Sequence, residues 1–171
     1  SGATITTVTG TTGADGKATA EVTSTTAGTY TVMATVNGNA TSKETTFIAD
    51  ATTAEITDAN LVIDPDGAVA NGVAKNGAEA TVTDANGNLV PGVKVDFSIS
   101  EGADIHVVRA ITDENGKAYA EITSLKAGTF LVSAHVNGKA QFSRKNTRFV
   151  ADMSTAKIEL VRFCLLYTSD A

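Results

Sequence analysis

The sequence predicts an all-β fold: an antiparallel sandwich of two sheets, written more than once along the chain. Three observations predict it. Ala, Val and Thr dominate and Trp is absent, a composition that suits strands better than long helices. Apolar and polar residues alternate over several short stretches. "AGTYTVMATVNG" at 27–38 returns as "AGTFLVSAHVNG" at 127–138.

The alternation places the strands. Phe130, Val132, Ala134 and Val136 fall on one face, against Leu131, Ser133 and His135 on the other. The first copy sets Tyr30, Val32, Ala34 and Val36 against Thr31, Met33 and Thr35. Ala118, Ala120 and Ile122 alternate with Tyr119, Glu121 and Thr123; Ala78, Ala80, Val82 and Val93, Val95, Phe97, Ile99 mark two more inward faces. Asn86-Gly87, Asn115-Gly116 and Asn137-Gly138 supply the positive φ of tight turns. About seven short strands result, and no helix of useful length is readable.

The duplication sets the organisation. Between 16–38 and 116–138, 15 of 23 positions are identical. "TTFIAD" (45–50) returns as "TRFVAD" (147–152), so two residues are inserted between Gly138 and Phe149. A period near 100 residues exceeds that of solenoid repeats, roughly 20–50 residues, and fits a whole small sandwich. The phase implies the C-terminal half of a domain over 1–50 and a complete domain over 51–152. The first strand of a third repeat follows over 153–162, and the piece is expected to come from a longer chain. Residues 163–171 abandon the repeat and read as a non-native read-through tail, which holds the only cysteine, Cys164. Tyr30, Val32, Val36 and Phe47 are expected to lack an opposing sheet, leaving the half-domain frayed or paired through an open edge.

Composition and pattern exclude several functions. The net charge of −6 and pI near 4.8 disfavour nucleic acid and anionic membranes, both of which need clustered Lys and Arg. No apolar run approaches the roughly 20 residues of a membrane span. Outside the tail the chain has no cysteine, which fits either an exported or a cytosolic protein. Catalysis finds no constellation: His106 and His135 align with Thr6 and Thr35, and the recurring Glu21 and Glu121 read as solvated surface. No cofactor is expected. The one metal-like cluster is "DPDG", where Asp64 and Asp66 are calcium candidates and a turn with Pro65 at its first corner is the plainer reading. Asp50 and Asp152, each ending a unit, read either as ordinary strand ends or, the favoured reading, as part of a rigid joint. Tyr119 and Arg144 are the candidate partner contacts.

The motifs carry a resemblance. "TVTDANGNLVPGVKVDFSIS" (81–100), "TDENGKAYAEITSLKAGTFLVSAHVNG" (112–138) and "FVAD" (149–152) resemble the group 1 bacterial immunoglobulin-like domain, the repeat of the intimin and invasin adhesins. The resemblance implies tandem immunoglobulin-like β-sandwiches in a stalk at the bacterial cell surface. An outer-membrane anchor and a receptor-binding tip would both lie outside this stretch. The alternatives are that the unit itself binds a host protein or glycan, or that it is an enzyme-associated or phage-type module. Two departures stand out. Phe130 replaces Tyr30, so a corner bond from the Tyr30 hydroxyl has no counterpart in the second copy, and "RKN" (144–146) lengthens the last hairpin and reads as a surface elaboration or a bulge.

Overall fold

The computed structural model describes residues 2–158. The expected read-through over 163–171, with Cys164, lies outside the described residues.

Eleven strands are formed by the described residues. They are β1 (Ala3–Thr7), β2 (Ala20–Ser24), β3 (Gly28–Val36), β4 (Asn39–Phe47), β5 (Leu61–Ile63), β6 (Asn76–Thr81), β7 (Val95–Ile99), β8 (Asp104–Arg109), β9 (Lys117–Thr123), β10 (Gly128–Val136) and β11 (Ser143–Phe149). The last seven make one sandwich. One sheet runs β5-β6-β9-β8 and the other β11-β10-β7, with every named pair antiparallel.

The core follows from the alternation. Phe130, Val132, Ala134 and Val136 of β10 are buried, and so are Ala118, Ala120 and Ile122 of β9. Ala78, Ala80, Ala118, Ala120 and Ala134 are all fully buried. These small side chains leave room for the larger Leu61, Ile122, Phe130 and Phe149. The Phe130 and Phe149 rings meet edge to face at 6.0 Å, a geometry that adds about 0.5–1.5 kcal/mol beyond the area buried.

Residues 3–47 fold as two hairpins. Hairpin β1–β2 repeats β8–β9 in register, Ile5 opposite Val22 as Ile105 is opposite Ile122. Hairpin β3–β4 repeats β10–β11, Gly28 opposite Phe47 as Gly128 is opposite Phe149. Each hairpin corresponds to a different sheet, but no residue of 2–50 is buried, so the apolar face of β3 is only partly covered. Tyr30 and Phe47 pack edge to face at 6.0 Å, as their counterparts do. Strands equivalent to β5, β6 and β7 are what the described residues lack here. The gap shows in burial: Val136 is 5% exposed and its counterpart Val36 is 66% exposed. An open slot of about 430 Å³ lies between the hairpins, lined in part by Ile5, Val32 and Ala34.

The loops differ where two residues are added. Strand β3 turns into β4 on Asn37-Gly38, both with positive φ, the pattern of a two-residue hairpin turn. Pairing of β10 with β11 stops at Ala134 opposite Ser143, so the added pair sits in the loop before β11. Arg144, Lys145 and Asn146 pair normally with Ser133, Val132 and Leu131. The elaboration expected at "RKN" is therefore ordinary strand.

Candidate functional site

The most specific arrangement of polar groups lies where the first two hairpins meet the sandwich. It begins with a turn. Asp84 Oδ1 accepts from Asn86 N at 2.9 Å and from Asn88 N at 2.8 Å, a side-chain lock on its own turn. Gly87 closes it with φ +81°. The lock aims Asn88 away from its own sandwich. Asn88 Oδ1 accepts from Ala27 N at 2.9 Å, and Asn88 Nδ2 donates to Thr25 O at 2.9 Å. The carboxamide thus grips the loop between β2 and β3 by its main chain alone. Asp84 Oδ2 takes a further bond from Asp50 N at 3.0 Å and one from Asn88 Nδ2 at 2.8 Å.

The connector is ordered by the same kind of local bonding. Asp50 caps a short 3₁₀ turn, Ala51–Thr53, and accepts from Thr52 N at 2.9 Å. Ala85 N donates to Thr53 Oγ1 at 3.1 Å, Glu55 and Thr83 exchange backbone bonds, and Lys139 Nζ donates to Thr52 O. Ala54 and Ile56 then enter the core of the sandwich. Beside the clamp runs an apolar seam of about 380 Å³, whose walls include Ala27, Ile48, Leu89 and Pro91.

Electrostatics hold the clamp in one state. Burial alone would push the Asp84 carboxyl up. Hydrogen bonds from Asn88 Nδ2, Asp50 N, Asn88 N and Asn86 N outweigh burial and lower it to about 2, because each donor favours the charged form. Asp50 is held below the ordinary range by its Thr52 side-chain and backbone bonds.

The arrangement sits at one end of the sandwich. Residues 84–91 lie at the end of the sandwich where β9 begins, since Val82 N bonds Gly116 O. The loop after β9, Ser124–Ala127, lies at the opposite end. The first hairpins therefore sit on one end of the sandwich, and the equivalent of the gripped loop faces away at the other. Asn88 is the residue that sequence reasoning missed. Its motif was legible only as a turn, and the chain holds no second copy of 81–100 to compare it with.

The residues singled out from sequence sit elsewhere. Asp66 Oδ1 accepts from Asn76 Nδ2 at 3.1 Å, Thr147 Oγ1 at 2.9 Å and Arg148 N at 2.8 Å. One of its oxygens is thus committed to stitching β6 to β11. Asp64 is exposed and its peptide bond to Pro65 is cis. Gly67 donates to Arg148 O at 3.0 Å rather than closing an isolated turn. Among the described residues no group of three or more His, Cys, Asp or Glu side chains is placed to hold a metal ion. Tyr119 is half-buried, its hydroxyl lying over Gly77 on the neighbouring strand. Arg144 is exposed, with its guanidinium 5.5 Å from the centroid of the Phe142 ring. The structure does not bring Tyr119 and Arg144 together: they stand on β9 and β11, in different sheets. His135 stacks on Phe142 at 4.3 Å, 3.8 Å from Asp96, and Glu121 pairs with Lys75 at 2.7 Å.

A family profile for the bacterial Ig-like domain (group 1) matches residues 58–150, just over half of the chain. The chain belongs to this family. As a group 1 Ig-like protein it is similar to an inverse autotransporter adhesin of Escherichia coli K12, YeeJ, with 35% identity over 158 residues. That match covers 86% of this chain and 6% of the relative, so the chain spans a small part of the curated protein's length. Among solved structures it is similar to InvD of Yersinia pseudotuberculosis, with 20% identity and a TM-score of 0.61 over 91% of this chain and 50% of that one. The D00–D0 domains of intimin give 23% identity and a TM-score of 0.52, over 87% and 78%. Identities this low speak for the fold, and the shared fold is the immunoglobulin-like sandwich of the adhesin domains. No helix among the described residues is long and apolar enough to cross a membrane.

Proposed function

We propose that this chain is a spacer segment of a bacterial surface adhesin. In this reading an incomplete unit (1–50) and a complete one (51–152) are two links of a stalk held away from an outer-membrane anchor. A distal domain outside this stretch meets the host receptor. The observation that carries the reading is the clamp. An asparagine with both ends of its carboxamide engaged, and a charged aspartate buried against the connector, fix one Ig-like unit on the end of another. The bonds from Asn88 to Thr25 O and Ala27 N and from Asp50 N to Asp84 cross from the first hairpins to the sandwich, beyond what the turn itself uses. The similarity to an adhesin supports the surface location.

The same reading takes Tyr119 and Arg144 as parts of the rod's wall and assigns the unit no catalysis. It takes the joint to be held by hydrogen bonds without calcium. Small-angle scattering on the chain tests it. The expected maximum dimension is the sum of the two units' lengths, with β10 alone rising about 30 Å, and it is expected to be equal in calcium and in chelator. A compact particle would remove the spacer reading, and extension only with calcium would overturn the metal-free joint.

A further inference from the structure

The far end of the complete unit carries the groups that the joint uses at the near end. Ser24 Oγ donates to Thr26 O at 2.7 Å and accepts from Thr26 N at 3.0 Å. Ser124 Oγ makes the same two bonds with Lys126, both at 2.9 Å. The loops at 24–27 and 124–127 are thus held in the same way, and present the same carbonyl and the same amide. The connectors match as well. Asp152 caps Met153–Thr155 by accepting from Ser154 N at 2.9 Å, as Asp50 does from Thr52. Ala54 and Ala156 end these turns with identical φ −57° and ψ 130°. The second connector adopts this shape with no unit packed on it among the described residues.

Burial differs between the two ends. Ala27 and Ala49 are half-buried by the joint, and their counterparts Ala127 and Ala151 are exposed. Ile56 lies in the sandwich core at 3% exposure, whereas its counterpart Ile158 is 100% exposed. At the near end these same positions are covered by an Ig-like unit bearing an Asp-x-x-x-Asn turn.

We propose that the far end is a preformed seat for a further Ig-like unit, gripped by that unit's Asp-x-x-x-Asn turn at the backbone of residues 125, 127 and 152. The proposal rests on the spacer reading and adds a rule to it. The clamp touches only main-chain groups of the loop, so Thr25-Thr26 in one unit and Leu125-Lys126 in the next serve equally. Any unit that keeps the Ser-anchored loop accepts any unit that keeps the turn.

Amide exchange read by NMR tests this, since exchange reports local opening residue by residue. In the chain as it stands, the Ala27 and Asp50 amides are expected to exchange at least tenfold more slowly than those of Ala127 and Asp152. Equal rates would overturn the clamp without any engineered variant. In a longer chain, residues 1–156 continued by a second copy of 55–152, Ala127 and Asp152 become slow by the same factor. Asn88→Ala in the added copy, which removes both the acceptor and the donor, returns Ala127 to fast exchange while that copy's own β9 and β10 amides stay slow. Leu125→Thr with Lys126→Thr leaves the protection unchanged. Fast exchange at Ala127 beside a well-protected added unit overturns the seat. If scattering of that same chain is extended, the spacer reading survives with loose joints. Slow exchange in a compact particle keeps the seat and removes the spacer.

Discussion

At the scale of single residues, side chains that the sequence marks as ligands or surface prove to be stitches. Asp66 was readable as an oxygen donor because aspartates flanking a proline and a glycine are ambiguous between a turn and a calcium site. What decides is a partner ten residues away. Asn76 is fully buried, with Nδ2 donating to Thr147 Oγ1 and Arg148 O, each at 2.8 Å, and to Asp66. Its Oδ1 accepts from Ala68 N at 2.9 Å. Removing that carboxamide strands the Ala68 N–H, at about 1–3 kcal/mol, and takes one bond each from Thr147, Arg148 and Asp66, which keep others. Asn76→Ala is expected to lower stability by about 3 kcal/mol, read from the urea midpoint at unchanged slope. A shift under about 1 kcal/mol would mean the network is dispensable. The tyrosine corner gives a smaller contrast. Tyr30 Oη donates to Thr26 O at 3.0 Å, and Phe130 in the second unit has no hydroxyl to do so. Tyr30→Phe should cost about 1 kcal/mol or less, since the second unit already folds without that bond.

At the scale of elements, legibility tracks how one-sided each strand is. Strands β9 and β10 bury alternate residues, β6 does so from Ala78 on, and their inward faces were readable from spacing alone. Strand β8 buries almost nothing along an edge, and β11 buries Ser143, Thr147 and Phe149 among charged neighbours. Neither shows a hydrophobic period, because an edge strand's ladder bonds hold it without one. Three residues of β5 are too few to show any period. The pairing of β6 with β9 supplies a sharper test. A Cβ on Gly77 would stand 2.3 Å from Asp64 O and 2.5 Å from Tyr119 Oη, closer than packed atoms tolerate. Gly77→Ala must displace backbone as well as the tyrosine, and overpacking of this kind costs typically about 1–3 kcal/mol. Thermal melting should show the loss. If Tyr119→Ala restores the variant fully, the clash is with the ring alone and the Asp64 carbonyl is free to move.

At the scale of the whole molecule, the joint should respond to acid in a direction fixed by Asp84. Its carboxyl is lowered from 3.8 to about 2 in the folded chain, so the folded joint favours the ionised form. That contribution is fully present above about pH 4 and is lost as pH falls toward 2, where the protonated group can no longer accept from Asp50 N and Asn88 Nδ2 together. Asp50, Asp96, Asp113 and Asp152 are lowered as well, so acid weakens the molecule at several places at once. A variant separates the joint from the rest. Asp84→Asn places an amide where two donors converge, and should loosen the joint at neutral pH. The Ala27 amide of the variant is then expected to exchange several-fold faster than that of the parent chain at pH 5, with the gap closing as both approach pH 2. A gap that persists unchanged at pH 2 would show that Asp84 acts through its shape and not its charge. The contact between the first hairpins and the sandwich is therefore expected to hold from neutral pH down to about 4 and to loosen only below that. That follows from four donors converging on one buried carboxylate.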